Sequence, residues 1–184
     1  MSTVPISYDT NPSGPGLLPV IGTLPEILIL GSYPSLLSLS RQEYYGNPKN
    51  QFWRIIEACQ GPDHTRSYAE RVAGLKARQI SLWDVIGSCS RKGSGDSTIR
   101  TPTFNDIGGL LKDHPTIRVI VLNGTLAGKY FTAMNLPTAS RTIHILPSTS
   151  PANAHITIQE KIKRWNTALT TSRSKKGMDT STNG

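Results

Sequence analysis

The stretch Glu26–Trp53, EILILGSYPSLLSLSRQEYYGNPKNQFW, decides the fold. Its aliphatic run Ile27-Leu28-Ile29-Leu30 stops on the turn Gly31-Ser32-Tyr33-Pro34-Ser35. A short continuous apolar run bounded by turn residues fits a parallel strand buried on both faces. Ligands of open α/β sheets bind beyond the carboxyl ends of such strands. The turn, and the aromatic cluster Tyr44-Tyr45-Gly46-Asn47-Pro48-Lys49-Asn50-Gln51-Phe52-Trp53 after it, are therefore expected to line a pocket.

Outward from this stretch, strand-like and helix-like segments alternate. Pro48 to Cys59 predicts a helix with Phe52, Ile55, Ile56 and Cys59 on one stripe, ended by Gly61-Pro62. Thr65 to Lys76 predicts a second helix. Ile80 to Ile86 predicts the second strand, and Gly87 to Ser97 a flexible, basic, glycine-rich connection able to touch phosphates. Asn105 is expected to cap a short helix reaching Asp113. Ile117 to Leu122, rich in β-branched residues, predicts the third strand. Thr125 is expected to cap a helix from Leu126 to Met134, and Arg141 to Leu146 predicts the fourth strand. Thr157 and Glu160 have capping-box spacing ahead of a last helix with Ile158, Ile162, Trp165 and Leu169 inward. Four alternations of strand and helix predict an α/β fold with a parallel sheet covered on both faces.

One domain is expected over residues 17–169, with unfolded polar tails at 1–16 and 170–184. The formal charge of +8 permits a polyanionic partner without requiring one. Cys59 and Cys89 show no metal-ligand spacing and read as two buried thiols of a reducing compartment. No apolar run has the length of a membrane span, and the N-terminus lacks a secretory pattern. A monomer in the cytosol or nucleus is the default expectation.

In a parallel sheet, GSYPS, Asn123-Gly124 and PSTSPANA (residues 147–154) gather at one edge. They bring hydroxyls, backbone N–H groups and a carboxamide beside the π-faces of Tyr45 and Phe52. That set suits a flat polar ligand next to phosphate. The chain has neither GxGxxG nor GxxxxGK[ST], which argues against dinucleotide and NTP chemistry. None of the three loops carries Asp, Glu or His, so no metal site is expected there; no cofactor is expected either.

Taken together, ILILGSYPS, YYGNPKNQFW, SLWDVIGSC, GSGDSTI, VLNG and LPSTSPANA resemble the uracil-DNA glycosylase superfamily, and within it the deoxyinosine (hypoxanthine)-DNA glycosylase branch. The resemblance spans about Leu18 to Leu169, and its most specific part is YYGxPxNxFW paired with PSTSPANA. PxNxFW is also similar to mismatch-specific uracil-DNA glycosylases. The resemblance implies a three-layer α/β/α sandwich around a four-stranded parallel sheet. It also implies hydrolysis of the N-glycosidic bond of a damaged base in DNA, by a monofunctional enzyme with DNA as its partner. In this branch the Asn of PxNxFW is the catalytic amide, which matches Asn50. Gly31, Ser32, Tyr33, Tyr45, Phe52 and Asn123 would contact the base, with Tyr45 stacking on it. Ser148, Thr149, Ser150, Pro151, Ala152 and Asn153 would grip the DNA. Two departures stand out: GSYPS lacks the Asp or Asn that many members carry in this turn, and position 47 is Asn where the resemblance predicts His.

Read from the residues alone, Asn50 serves as a helix cap, Asn123 before Gly124 as turn chemistry, and Tyr45, Phe52 and Trp53 as core. Asp84 would satisfy buried backbone groups and stands in reserve as a water-handling acid. Asp96 is the other loop acid and His144 reads as structural; His155 lies beside the 147–154 loop, where a phosphate contact is the minority reading. Hypoxanthine is the expected base and uracil the nearest alternative. A silent nucleic-acid-binding module and a hydrolase of free nucleosides are the competing classes.

Overall fold

The computed structural model describes residues 14–138 and 140–174. The expected tails lie outside them, apart from residues 14–16 and 170–174. A four-stranded parallel sheet forms the centre: β2 (Ile27–Gly31), β3 (Ile80–Asp84), β6 (Val119–Asn123) and β7 (Thr142–Leu146), in the order β3-β2-β6-β7. Alternation along β2 explains the layers. Ile27 and Ile29 point into one core cluster, Leu28 and Leu30 into the other. The first cluster is closed by α2 (Phe52–Ala58), α3 (Tyr68–Ala77) and α6 (Ile158–Ser174), which contribute Ile55, Ile56, Leu75 and Trp165. The second is closed by α4 (Ile107–Asp113) and α5 (Thr125–Ala133), through Leu110, Leu111, Ala127 and Phe131. The expected three-layer sandwich is present.

Several element boundaries differ from expectation. The helix expected from Pro48 starts at Phe52, because two asparagines take backbone donors ahead of it. Asn47 Oδ1 accepts Lys49 N–H at 2.9 Å and Asn50 Oδ1 accepts Phe52 N–H at 2.9 Å. Such local bonds compete with helix hydrogen bonds. The polar segment between the turn and the aromatic cluster holds a helix the pattern does not predict, α1 (Leu36–Arg41), capped by Ser35. Asp106, not Asn105, caps α4; the Asn105 carboxamide instead donates to Asp84 O at 2.8 Å. Gly124, not Thr125, is the cap residue of α5. Its φ of +105° strains any other residue, and a Cβ there would press on Ser148. The last helix runs to Ser174 rather than stopping at Leu169. Cys89 is buried, whereas Cys59 is only half-buried; both are free.

The largest difference is at Gly87–Ser97. Residues 87–90 join a second sheet, while 92–97 stay exposed as a connection: β1 (Gly14–Pro15), β4 (Ile86–Ser90) and β5 (Arg100–Phe104) pair antiparallel in the order β1-β4-β5. Ile86, Cys89 and Ile99 form a small core with Tyr33, so the apolar residues of this segment are used inward. The connection between β4 and β5 is thereby held over the GSYPS turn, where Ser94 Oγ accepts Leu36 N–H at 3.1 Å and Asp96 Oδ1 accepts the Ser32 hydroxyl at 3.0 Å.

Helix α3 carries a full capping box between Ser67 and Glu70. Ser67→Ala is expected to lower stability by about 1 kcal/mol, within the 0.5–2 range for such caps, measured by denaturant unfolding. No change would mean that Glu70 alone holds the helix start.

Candidate active site

A cleft of about 530 Å³ opens at the carboxyl edge of the parallel sheet. Sheet register sets its floor: Asp84 at the end of β3 pairs with Gly31 at the end of β2, and Asn123 ends the neighbouring β6. Gly31 is glycine for a local reason. A Cβ there would overlap Asp84 Oδ1 and stand 3.3 Å from the Tyr45 hydroxyl. The walls come from Ser32 and Tyr33 of the turn, from Tyr45 and Asn50, from Ser148, Thr149, Ser150, Ala152 and Asn153, and from Ser94–Asp96 of the second sheet.

Tyr45 sits at φ +55°, the left-handed region that a bulky residue occupies only when its surroundings hold it there. Two contacts hold it. Phe52 stacks behind the ring, with centroids 3.8 Å apart and planes within 18°, and the Asn123 carboxamide donates to the hydroxyl at 3.1 Å. Burial raises the Tyr45 hydroxyl well above the usual phenol range, so it stays neutral. Asn123 is 7% exposed, and its orientation is set by Thr149, whose backbone N–H can only donate and meets Oδ1 at 2.9 Å. Nδ2 then serves Tyr45 and the Thr149 hydroxyl, at 3.1 and 3.0 Å.

Asn50 lines the same cleft and is half-buried. With Oδ1 on the Phe52 N–H, Nδ2 remains without a hydrogen bond among the described residues. The cap residue of α2 is Gln51, not Asn50 as expected; Asn50 spends only its Oδ1, on a local turn ahead of the helix. The next residue ties this segment to the 147–154 loop: Gln51 N–H donates to Thr149 O at 3.0 Å. Lys161 is fully buried, and its ammonium donates to Gln51 Oε1 and to Asn153 O, both at 2.9 Å.

Three expected contacts are placed otherwise. Phe52 is fully buried and does not line the cleft; it backs Tyr45 instead, because α2 turns its side chain into the core. Thr149 is also fully buried, its hydroxyl taken by Asn123, so this side chain faces the protein rather than a DNA backbone. Pro151 is exposed but lies off the cleft, opening the 3₁₀ turn Pro151–Asn153. Tyr33 does line the cleft, with its hydroxyl spent on Gly14 O at 2.8 Å and the Arg91 guanidinium 4.7 Å over its ring. Asn47 stays out of the cleft and makes a local turn. His144 is half-buried in β7, away from the cleft, and burial lowers its pKa. His155 is exposed on the cleft wall. Trp53 is core, its indole N–H on Tyr44 O at 3.1 Å.

The acids are what the sequence reading underweighted. Asp84 is 4% exposed, lines the cleft, and keeps Oδ2 buried without a partner among the described residues. It does not satisfy backbone donors as expected. Burial first, then the charge of Asp96, raises its carboxyl to about 7, against the opposing pull of Arg91. Asp96 is raised too, burial leading, while the Ser32 hydroxyl and Arg91 oppose. The signal for Asp84 was available: it ends a strand neighbouring Gly31, at the edge where the other three loops were placed. Among the described residues, the grouping of possible metal ligands is Glu57, Asp63 and His64, which lies outside this cleft.

A carboxyl whose pKa folding raises binds its proton more tightly in the folded chain. Its contribution to stability is full below about pH 4 and is lost as pH rises through about 7. The melting temperature is therefore expected to fall between pH 5 and 8, and Asp84→Asn to flatten that fall. Thermal unfolding at several pH values checks it; identical slopes in both proteins would contradict the placement of the charge.

With this geometry in view, relatives bear on the chain. Residues 19–169 match the family model of the uracil DNA glycosylase superfamily. A hypoxanthine DNA glycosylase of Methanosarcina acetivorans is 42% identical over 132 residues, covering 70% of this chain and 80% of that protein. A hypoxanthine DNA glycosylase of Methanosarcina barkeri is 37% identical over 116 residues, 62% of this chain and 73% of that one. The solution NMR structure of a candidate uracil DNA glycosylase from Methanosarcina acetivorans superimposes with a TM-score of 0.75 at 36% identity, covering 86% of this chain and 98% of that structure. The sheet order, the cleft at its carboxyl edge and a match running through nearly all of the described residues agree: this chain belongs to the uracil DNA glycosylase superfamily.

Proposed function

We propose that this protein is a monofunctional DNA glycosylase that hydrolyses the N-glycosidic bond of hypoxanthine in DNA, beginning base excision repair. The observation that carries the reading is the convergence of Tyr45, Asn50 and Asn123 on one cleft at the sheet edge. Two relatives named for hypoxanthine, matched over most of their length, support the choice of base.

The target base is inside a duplex and has to be flipped out, at a few kcal/mol, less for a badly paired lesion. The Ser148 and Ser150 hydroxyls, on the cleft wall, offset that cost by holding phosphates. The flipped base lies against Tyr45, whose ring Phe52 and Asn123 keep in place. Bond breaking passes through an oxocarbenium-like sugar. The free Nδ2 of Asn50 donates to the attacking water or to the leaving base. As a neutral amide it takes no proton at physiological pH. Among the described residues no lysine lines the cleft, so no Schiff-base lyase step follows. The site acts as a monomer wherever the cell keeps its DNA, in cytoplasm or nucleus. No helix among the described residues is long and apolar enough to cross a membrane.

The test is cleavage of duplexes carrying a single hypoxanthine, uracil or mispaired thymine, with EDTA throughout and alkali to reveal abasic sites. Breaks at hypoxanthine above the other two support the reading. Breaks at uracil or mispaired thymine alone change the base, binding without breaks means a silent module, and activity only on free inosine means a nucleoside hydrolase.

A further inference from the structure

We infer that Asp84 is the catalytic base of this site, taking the proton of the water that attacks the sugar. The inference rests on the glycosylase reading and adds to it the one function that Asn50 does not supply. Hydrolysis needs a proton acceptor, and an uncharged carboxamide is not one near neutral pH. The cleft contains few alternatives. Tyr44 and Tyr45 are held neutral by burial. Asp96 already accepts the Ser32 hydroxyl.

Asp84 is built differently. Its carboxylate is nine-tenths buried, ends the strand beside Gly31, and lies over the space that the missing Cβ leaves open. Oδ2 has no hydrogen-bond partner among the described residues. A buried polar atom left unpaired is uncommon in a folded protein and calls for an explanation, such as a catalytic role or an ordered water. Oδ2 itself is closed to water; a reacting water would meet the group from the cleft at Oδ1, which stands where a Cβ on Gly31 would lie, near the Tyr45 hydroxyl. No salt bridge neutralises the group among the described residues, although Arg91 and Asp96 act on it through space. Tyr33, Tyr44, Tyr45 and Tyr68 feel its charge from the loops and from α3, and His155 and Arg164 also line the cleft. A base is most effective when its pKa lies near the working pH, and the burial of Asp84 moves it there.

In the step, the water oxygen bonds to C1′ as the bond from C1′ to the base nitrogen breaks. The electron pair of that bond leaves with the base. The water proton passes to Asp84, which later releases it to the departing base or to solvent. The products are the free base and an abasic sugar bearing a hydroxyl, with every proton accounted for.

The experiment is single-turnover cleavage of a hypoxanthine duplex by excess full-length protein, from pH 5 to 9. The wild type is expected to gain about tenfold per pH unit below about 7 and to level off above it. Asp84→Asn is expected to lose roughly 10²-fold or more, to lose that limb, and to bind the duplex as before. At pH 8 it should melt at or above the wild-type temperature, which a merely structural carboxylate would not produce. His155→Gln is expected to keep the limb. A flat wild-type profile overturns the assignment. So does an Asp84→Asn protein within threefold of wild type with its limb intact, or a limb that vanishes in His155→Gln. Should Asp84→Asn fold poorly, the wild-type limb and its survival in His155→Gln decide. If the wild type cleaves none of the three lesions at any pH, the glycosylase reading fails instead.

Discussion

Asn50→Ala is expected to lower the single-turnover rate on a hypoxanthine duplex by about 10²–10³-fold, or about 2.7–4 kcal/mol of transition-state stabilisation. The donor lost is Nδ2, the end of the amide that makes no bond within the described protein. The same substitution also removes the acceptor of the Phe52 N–H and so loosens the start of α2. Asn50→Asp separates the two effects. It keeps an acceptor for that N–H, but it offers no donor. Its melting temperature should stay near wild type while its rate stays low. If Asn50→Ala loses less than tenfold in rate, Asn50 has no part in the chemistry and only holds the Phe52 N–H.

Asn123→Ala is expected to lower both stability and rate. Three hydrogen bonds disappear together, and the buried Thr149 N–H is left without its acceptor. An unsatisfied buried donor costs about 1–3 kcal/mol, which for a chain of this size lowers the melting temperature by roughly 2–12 °C. Tyr45 loses the bond to its hydroxyl, and its left-handed backbone is then held by Phe52 alone. Cleavage should drop by about 10²-fold or more, the loss typical of one well-placed donor. A variant with wild-type melting and wild-type rate would show that the carboxamide neither holds the 147–154 loop nor meets the base.

Both residues were legible in the sequence, though only in part. VLNG at a strand end and PKNQFW before a helix marked Asn123 and Asn50 as groups at the sheet edge, and the structure brings both to the cleft. Which atoms are free was not legible. It depends on Thr149 and Phe52, whose backbone N–H groups fix the two amides. Phe52 shows the reverse. Its helical spacing with Ile55 and Ile56 already described a core stripe, and the core claimed it. The reading of Gly87–Ser97 as a solvated run held for residues 92–97 and failed for 87–90, because glycine and serine content speaks for exposure only until a neighbouring segment pairs with it. Here β1 and β5 supply the pairing.

By itself the sequence determined the layers. Aliphatic runs of strand length, set between helical stripes, bury both faces of a parallel sheet because no other arrangement removes all of that apolar surface from water. What only the tertiary structure decided is the charge of the cleft. In ISLWDV the place of Asp84 near a strand end was legible, but nothing nearby in the chain sets its proton affinity. Its pairing with Gly31 in the sheet, the cover brought by the second sheet and the nearness of Asp96 remove it from water and raise its proton affinity. Desolvation and long-range charge are properties of what surrounds a group in space, and those neighbours come from segments that only folding brings together.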